Sequence, residues 1–190
     1  MSKAKYTDEQ LIKSFQGGDV NSFNEIVLRY KDRLLNYVNG YMNDVAVSEN
    51  LVQDTFMKVY THGHSYKEIA KFSTWIYTIA GNLAKTELRK LKRRKTFSFS
   101  QLSSKDNEFN LDRMELNKDI SSKDHETYNS IREAIPNLPE DYRNIIILRD
   151  IQELSYDEIS SITNLALGTV KSRINRARLK LRNIIKENRE

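Results

Sequence analysis

The sequence predicts an all-α fold that comprises two small helical domains. In both halves of the chain, apolar residues recur at three- and four-residue spacing, and no long stretch alternates as a half-buried strand would. The segment between the halves is rich in Ser, Asn and Asp and carries only isolated apolar residues. A structureless stretch of this length is uncommon inside a compact domain. We therefore expect a first domain at 1–95, a flexible linker at 96–123 and a second domain at 124–190.

Four helices are expected in the first domain. Three of them are preceded by short polar side chains that can accept a hydrogen bond from the first helical turn. These capping candidates are Thr7 with Gln10, Asp44 or Ser48, and Ser73 or Thr74. The pair Gly17–Gly18 suits the end of the first helix, because glycine readily adopts C-terminal cap conformations. The pair Asn39–Gly40 is expected to fray or stop the second helix.

Prolines mark the helix boundaries at the start of the second domain. A helix is expected to resume near Lys123 and to stop at Ile135–Pro136, because proline cannot donate the hydrogen bond that continues a helix. Pro139 is predicted as the first residue of the next helix, where a missing N–H costs nothing. Two acidic residues follow it and complement the helix dipole.

Residues 154–181 have the pattern of a helix, a tight turn and a second helix. Ser155 and Glu158 have capping-box spacing, and Asn164 tolerates the left-handed conformation of a turn. The second helix has one apolar stripe, formed by Val170, Ile174, Ala177 and Leu181. Its other faces are basic, as are those of solvated, membrane-surface and partner-binding helices. The capped first helix and the turn favour a DNA-binding helix-turn-helix.

The charged residues are unevenly distributed. The 190 residues carry a formal charge of +5. Residues 85–95 include seven basic residues and one acid, and residues 168–190 include eight basic residues and two acids. The segment 96–134 instead holds five basic residues and eight acids. Two basic blocks separated by an acidic segment indicate two anion-binding modules on a tether.

The composition also limits the cellular compartment in which we expect the protein and the kinds of chemical site that it can contain. The chain has no cysteine and its three histidines are scattered. No apolar run approaches the length of a membrane span, and the N-terminus lacks an apolar leader. We therefore expect a cytoplasmic protein without membrane insertion, disulfides, metal or cofactor.

Three stretches of the sequence, taken together, resemble a known family. They are GGDVNSFNEIVLRYKDRLLNYV, then SENLVQDTFMKVY with FSTWIYTIAGNLAKTELRKLKRR, and LPEDYRNIIILRDIQELSYDEISSITNLALGTVKSRINRARLKLR. In this order they are similar to the extracytoplasmic-function (ECF) group of bacterial sigma factors, over nearly all of the chain except the linker. The resemblance implies two helical domains, sigma region two and region four. It also implies a non-catalytic initiation factor that joins RNA polymerase core, recognises the −10 and −35 promoter elements and opens the DNA.

The resemblance assigns the −10 element to the first domain. A surface for unpaired bases combines aromatic rings with cations, and residues 60–75 have that composition. Phe72 and Trp75 border an apolar helix, so we expect them in the core rather than on DNA. The basic tract after the fourth helix should contact phosphates. The expected −10 contacts are His62, His64, Tyr66, Lys67, Asn82, Lys85, Lys90, Lys92, Arg93 and Arg94.

The resemblance assigns the −35 element to the second helix of the helix-turn-helix. Its expected contacts are Thr169, with Lys171, Ser172, Asn175 and Arg176 toward base edges, and Arg173 and Arg178 toward phosphates.

Polymerase contact is assigned to the third helix, which in the family docks on a coiled coil of the β′ subunit. The expected contacts are Glu49, Gln53, Asp54 and Lys58. From the residues alone, an ordinary solvated helix face is the simpler interpretation. The β subunit, duplex and single-stranded promoter DNA, and an anti-sigma or recruiting protein are further expected partners.

The chain departs from the family pattern at several positions. Val47 and Asn50 stand where acids are usual, so the polymerase face is less acidic than expected. Gly81 replaces a larger, often basic residue. We expect the glycine to weaken the helix by about 1 kcal/mol relative to Ala and to remove a DNA contact. Ala166 replaces a proline or a good capping residue before the recognition helix. These departures predict low intrinsic promoter affinity.

Two other classes of protein remain as alternatives. A helix-turn-helix regulator would bind duplex DNA without joining polymerase, but the first half shows no ligand-binding or phosphoacceptor pattern. A recombinase-like enzyme would need a nucleophile with an acid–base set, whereas the serines lie mostly in the linker.

Overall fold

The chain folds as two compact helical units. The computed structural model describes residues 6–98, 130, 131 and 133–187. Within these residues every regular element is helical, which confirms the all-α, two-domain prediction. The predicted linker lies outside the described residues except for 96–98. Those three residues form the end of a helix that begins in the first domain.

The described part of the first unit, residues 6–98, contains four helices. They are α1 (Asp8–Gln16), α2 (Val20–Met42), α3 (Val45–His62) and α4 (Phe72–Ser98). A short 3-10 turn, Gly63–Ser65, follows α3. The second unit contains a 3-10 turn at Ile135–Asn137, then α5 (Glu140–Ile146), α6 (Tyr156–Thr163) and α7 (Leu167–Glu187). A π-helical turn, Ile147–Ile151, extends α5.

Local caps follow the sequence pattern closely. The Thr7–Gln10 capping box is present, with both reciprocal hydrogen bonds (2.9 and 3.2 Å). Asp44, rather than Ser48, caps α3 by accepting a hydrogen bond from the Val47 N–H at 3.0 Å. Ser155 and Glu158 form the second predicted capping box. The structure thus confirms these predictions. Caps can be predicted from the sequence because each one depends on atoms within a few residues of each other.

Two predicted helix ends in the first unit are wrong. Helix α2 continues through Asn39–Gly40 and ends only after Met42, where Asn43 adopts the left-handed conformation (φ 55°). Glycine costs a helix about 1 kcal/mol, and burial of Tyr37, Val38 and Tyr41 around Gly40 offsets that cost. Helix α4 begins at Phe72, so neither Ser73 nor Thr74 precedes it as a cap.

The boundaries of the second unit are close to their predicted positions. A 3-10 turn contains Pro136, and Asn164 takes the left-handed conformation (φ 58°) that the turn requires. Pro139 is the N-cap rather than the first helical residue, since its ψ of 144° is extended and its carbonyl accepts from the Arg143 N–H. The expected start near Lys123 lies outside the described residues. Nothing in the sequence predicted the π-helical turn.

Gly81 lies in the core of the first unit. A Cβ added at this position would lie 2.7 Å from the Tyr37 hydroxyl oxygen but 3.6 Å from the nearest Tyr37 ring carbons. Tyr37 is fully buried, and its hydroxyl forms a hydrogen bond with that of Tyr41 at 3.1 Å. The expectation that Gly81 replaces a DNA-contacting residue is therefore wrong, because this position faces Tyr37 and permits the close approach of α2 and α4.

We expect Gly81→Ala to destabilise the first unit by about 1–2 kcal/mol, because overpacking outweighs the gain in helix propensity. In a Tyr37→Phe background the nearest ring atoms are at ordinary contact distance, so the same change should be neutral or stabilising. Urea unfolding of the unmodified chain, the two single variants and the double variant measures the coupling between the two substitutions. The fluorescence of the single tryptophan, Trp75, reports unfolding of this unit. An equal effect of Gly81→Ala in both backgrounds would contradict this explanation.

Candidate functional site

An open apolar groove of about 610 Å³ runs between α2 and α3. Helix α2 contributes Phe23, Val27, Lys31, Asp32 and Leu35 to its lining. Helix α3 contributes Glu49, Val52, Gln53, Phe56, Met57 and Tyr60. The aromatic rings at one end pack together, with Phe23 5.2 Å from Tyr60 and 6.5 Å from Phe56. The groove thus has a preformed apolar floor and a few charged residues among its lining.

The groove brings together two of the predicted polymerase contacts. Glu49 and Gln53 line it, whereas Asp54 and Lys58 are exposed on α3 outside the lining. Sequence reasoning identified the polar residues of this helix and missed the apolar ones, of which Met57 is 56% exposed. The available signal in the sequence was the position of Met57 directly after Phe56 and three residues before Tyr60. Apolar grooves between helices suit an apolar face of a partner protein.

The segment between α3 and α4, residues 63–71, contains part of the predicted −10 surface. His64 and Lys67 are exposed in it, and His62 is exposed at the end of α3. Tyr66 differs from the prediction because it is only 8% exposed. Its ring packs 5.7 Å from Phe72 and 5.3 Å from Trp75, and its hydroxyl donates to the Ala70 carbonyl at 2.7 Å.

Tyr66 is therefore an internal anchor of this segment rather than an exposed ring on which a base can stack. Burial raises the pKa of Tyr66 to about 12, and the protonated phenol is the donor of this hydrogen bond. The core placement of Phe72 is confirmed, since this residue is fully buried, while Trp75 is half-buried. An apolar residue that the prediction omitted, Ile69, is 88% exposed between Lys67 and Lys71.

Helix α4 presents the remaining predicted −10 residues along its length. Asn82 is exposed and Lys85, one turn further, is half-buried. The basic tract Lys90, Lys92, Arg93 and Arg94 is exposed on the same helix. Lys90 forms an ion pair with Glu87 at 3.1 Å, which is weak because it is exposed. The tract can therefore approach an extended polyanion.

Helix α7 buries its apolar stripe and exposes its basic faces. Val170, Ile174 and Ala177 are buried, and Leu181, the last residue of the predicted stripe, is half-buried. The predicted base-reading residues Lys171, Ser172, Asn175 and Arg176 are all exposed, and Thr169 is half-buried beside them. Ala166, immediately before the helix, offers only its backbone carbonyl, which accepts from the Val170 N–H at 3.0 Å.

The two arginines of α7 that are predicted to bind phosphates already have carboxylate partners in their own unit. Arg178 donates two hydrogen bonds to Asp150 (2.5 and 3.1 Å), and this interaction raises the pKa of Arg178. Arg173 lies 3.3 Å from Asp141. These pairs attach α7 to α5 and the π-helical turn. A phosphate contact at Arg173 or Arg178 would therefore have to share or displace a carboxylate.

Two further properties concern the described residues alone. None of their helices combines the length and apolarity that a membrane crossing requires. Their His, Asp and Glu side chains form no cluster of the kind that holds a metal ion.

The comparisons with known proteins agree with this two-part architecture. Residues 26–94 match the family "Sigma-70 region 2" and residues 128–181 match "Sigma-70, region 4". A four-helix unit followed by a helix-turn-helix unit, with these matches, defines a transcription factor of the sigma-70 class.

Similar proteins narrow the class further. The chain is 34% identical to the ECF RNA polymerase sigma-E factor of Haemophilus influenzae, over 94% of this chain and 95% of the relative. It is 33% identical to the RNA polymerase sigma-H factor of Pseudomonas aeruginosa, over 90% of each. It also resembles the sigma factor RpoE of Bartonella quintana, solved with the anti-sigma factor NepR (25% identity, TM-score 0.68, 86% of this chain, 96% of that chain). The chain belongs to the ECF sigma factor family, whose members direct RNA polymerase to promoters.

Proposed function

We propose that the groove between α2 and α3 is the surface through which this sigma factor binds the β′ coiled coil of RNA polymerase core. The observation that carries the proposal is the apolar lining, because a solvated helix face would not expose Met57 beside Phe56 and Tyr60. Glu49 and Gln53 supply polar contacts among the lining residues, and Asp54 and Lys58 extend them along α3. The β subunit is a second contact of the same assembly.

The segment 63–71 and the exposed face of α4 are proposed to hold the opened −10 element. Ile69 offers an apolar surface for an unpaired base, while Lys67 and the exposed histidines offer donors around it. Asn82 and Lys85 continue this surface onto α4, and the basic tract Lys90–Arg94 supplies sequence-independent phosphate contacts. Tyr66 supports the segment from inside.

The second unit is proposed to read the −35 element as duplex DNA. Lys171, Ser172, Asn175 and Arg176 form one exposed polar surface on α7, opposite the buried stripe. A helix of this kind enters the major groove with such side chains toward base edges. The domain limits proposed for these activities are 1–95 and 124–190, in line with the two matched regions.

An inhibitory or recruiting protein is a further proposed partner in the cytoplasm. The related RpoE of Bartonella quintana is bound to an anti-sigma factor. Ala166, which provides no side-chain cap for α7, is consistent with a promoter affinity low enough to need recruitment.

Transcription by core polymerase with and without the purified chain, with start sites mapped by sequencing on genomic DNA fragments, tests this function. We expect start sites that depend on the chain and share two sequence elements upstream. A helix-turn-helix regulator that does not join polymerase would instead bind duplex fragments in the absence of core and create no new start sites.

A further inference from the structure

Helix α1 contacts the N-terminal end of the segment 63–71, which is the proposed −10 segment. The side-chain amide of Gln16, at the end of α1, donates to the Gly63 carbonyl at 2.9 Å and to the Tyr66 carbonyl at 3.0 Å. Both donors of one NH₂ group are therefore used on the first turn of the segment. The Phe15 ring also lies against Gly63, since a Cβ there would be 2.9 Å from it.

The C-terminal end of the same segment is held by a second residue of α1. An Oε1 atom of Glu9 accepts a hydrogen bond from the Phe72 N–H at 3.0 Å. This N–H belongs to the first turn of α4 and has no partner within its own helix. Glu9 therefore acts as the N-terminal cap that the sequence had assigned to Ser73 or Thr74.

Helix α1 is itself fixed to α2. The carboxylate of Asp8 accepts a hydrogen bond from the buried Tyr30 hydroxyl at 2.6 Å and pairs with Arg29 at 2.9 Å. Because α1 is anchored in this way, its bonds to the two ends of the segment can fix the separation and orientation of those ends. Helix α1 also lies before residue 26, where the match to the region 2 family begins.

We propose that Gln16 and Glu9 are positioning residues for promoter opening: they hold the segment 63–71 in the conformation that receives the unpaired −10 base. The proposal rests on the proposed −10 function of this segment. Neither side chain contacts DNA in this role. Each acts through backbone atoms at the base of the segment, whose exposed part carries Ile69 and Lys67.

The hydrogen-bonding roles predict different outcomes for near-isosteric changes. Gln16→Glu removes both donors and places a carboxylate against two carbonyls, whereas Glu9→Gln keeps an oxygen that can accept from Phe72. Glu9→Ala removes that acceptor. Gln10→Ala is the matched control in α1, because the Gln10 side chain accepts its hydrogen bond from the Thr7 N–H and not from the segment.

Selection of single-stranded DNA by the reconstituted holoenzyme tests the proposal. Full-length chain with core polymerase is incubated with short oligonucleotides that carry a randomised segment, and bound DNA is sequenced. If a substitution lowers the fraction of time that the segment 63–71 spends in its competent conformation to about one-tenth, enrichment of the preferred sequence by that variant falls about tenfold. We expect this decrease for Gln16→Glu and Glu9→Ala, with total DNA retained nearly unchanged. Glu9→Gln and Gln10→Ala should enrich like the unmodified chain.

The outcomes separate the inference from the function on which it rests. Equal enrichment by the unmodified chain and by Gln16→Glu and Glu9→Ala would overturn the positioning role alone. Absence of any enrichment by the unmodified chain would overturn the proposed −10 function and the inference with it. Trp75 fluorescence checks folding, and if Gln16→Glu fails to fold, the comparison of Glu9→Ala with Glu9→Gln decides the matter.

Discussion

Met57→Glu should weaken binding to core polymerase about 100-fold, which corresponds to about 3 kcal/mol. Met57 is 56% exposed on the wall of the groove, so the substitution leaves the core of the unit intact. In the complex, however, the new carboxylate would lose water against an apolar partner surface, and an unpaired buried charge is costly. Fluorescence anisotropy of the labelled chain titrated with core measures the change.

Leu28→Glu is the matched control for this prediction. Leu28 lies on α2 outside the groove lining and is 63% exposed, so the same chemical change is made at similar exposure. We expect its affinity for core to be unchanged. Equal weakening by both variants would indicate a general charge effect, and unchanged binding by Met57→Glu would remove the groove from the interface.

Arg176→Ala should lower affinity about 10–100-fold on the best −35 sequence and have little effect on scrambled sequences. Arg176 is exposed on α7, one turn beyond Ser172 and off the buried stripe. An arginine in a major groove can donate two hydrogen bonds to a guanine edge, worth about 1–3 kcal/mol of discrimination. Binding across a library of −35 substitutions measures that discrimination.

A double change in the other basic block provides the comparison. Lys92 and Arg93 replaced by Gln should weaken binding about equally on all promoters and reduce its salt dependence, by about one unit of slope for each phosphate that the protein no longer neutralises. If Arg176→Ala lowers every library member by the same factor, Arg176 binds phosphate and does not read a base.

The features that the sequence predicted well depend on neighbouring residues. Two capping boxes, the left-handed Asn164 and the buried stripe of α7 each involve atoms separated by one or two helical turns. Their patterns are therefore visible in short windows of sequence.

The features that were missed depend on residues distant in the chain. Glu9 caps a helix that begins 63 positions later, and Gly81 is small because Tyr37 of another helix approaches it. The pairing of Arg178 with Asp150, 28 positions earlier, was not predicted either. No periodicity or local propensity encodes such contacts, since they arise only when the helices pack.

The candidate site was predictable in part for the same reason. The exposure of Gln53 and Arg176 follows from helical periodicity, and both side chains are exposed in the structure. Their roles in binding stay predictions. The apolar groove and the buried position of Tyr66 required the packing of α2, α3 and α4. A tyrosine in a polar, aromatic stretch has the same sequence signature whether its ring faces solvent or the core.

Permanganate footprinting of promoter DNA with the chain and core polymerase tests the central claim most directly, because permanganate oxidises thymines that are unpaired. At the start sites that depend on the chain, we predict reactive thymines in the −10 region only when both the chain and core are present. DNA that is bound by both proteins together but shows no reactive thymine, or the same pattern with core alone, would contradict a role for this chain in promoter opening.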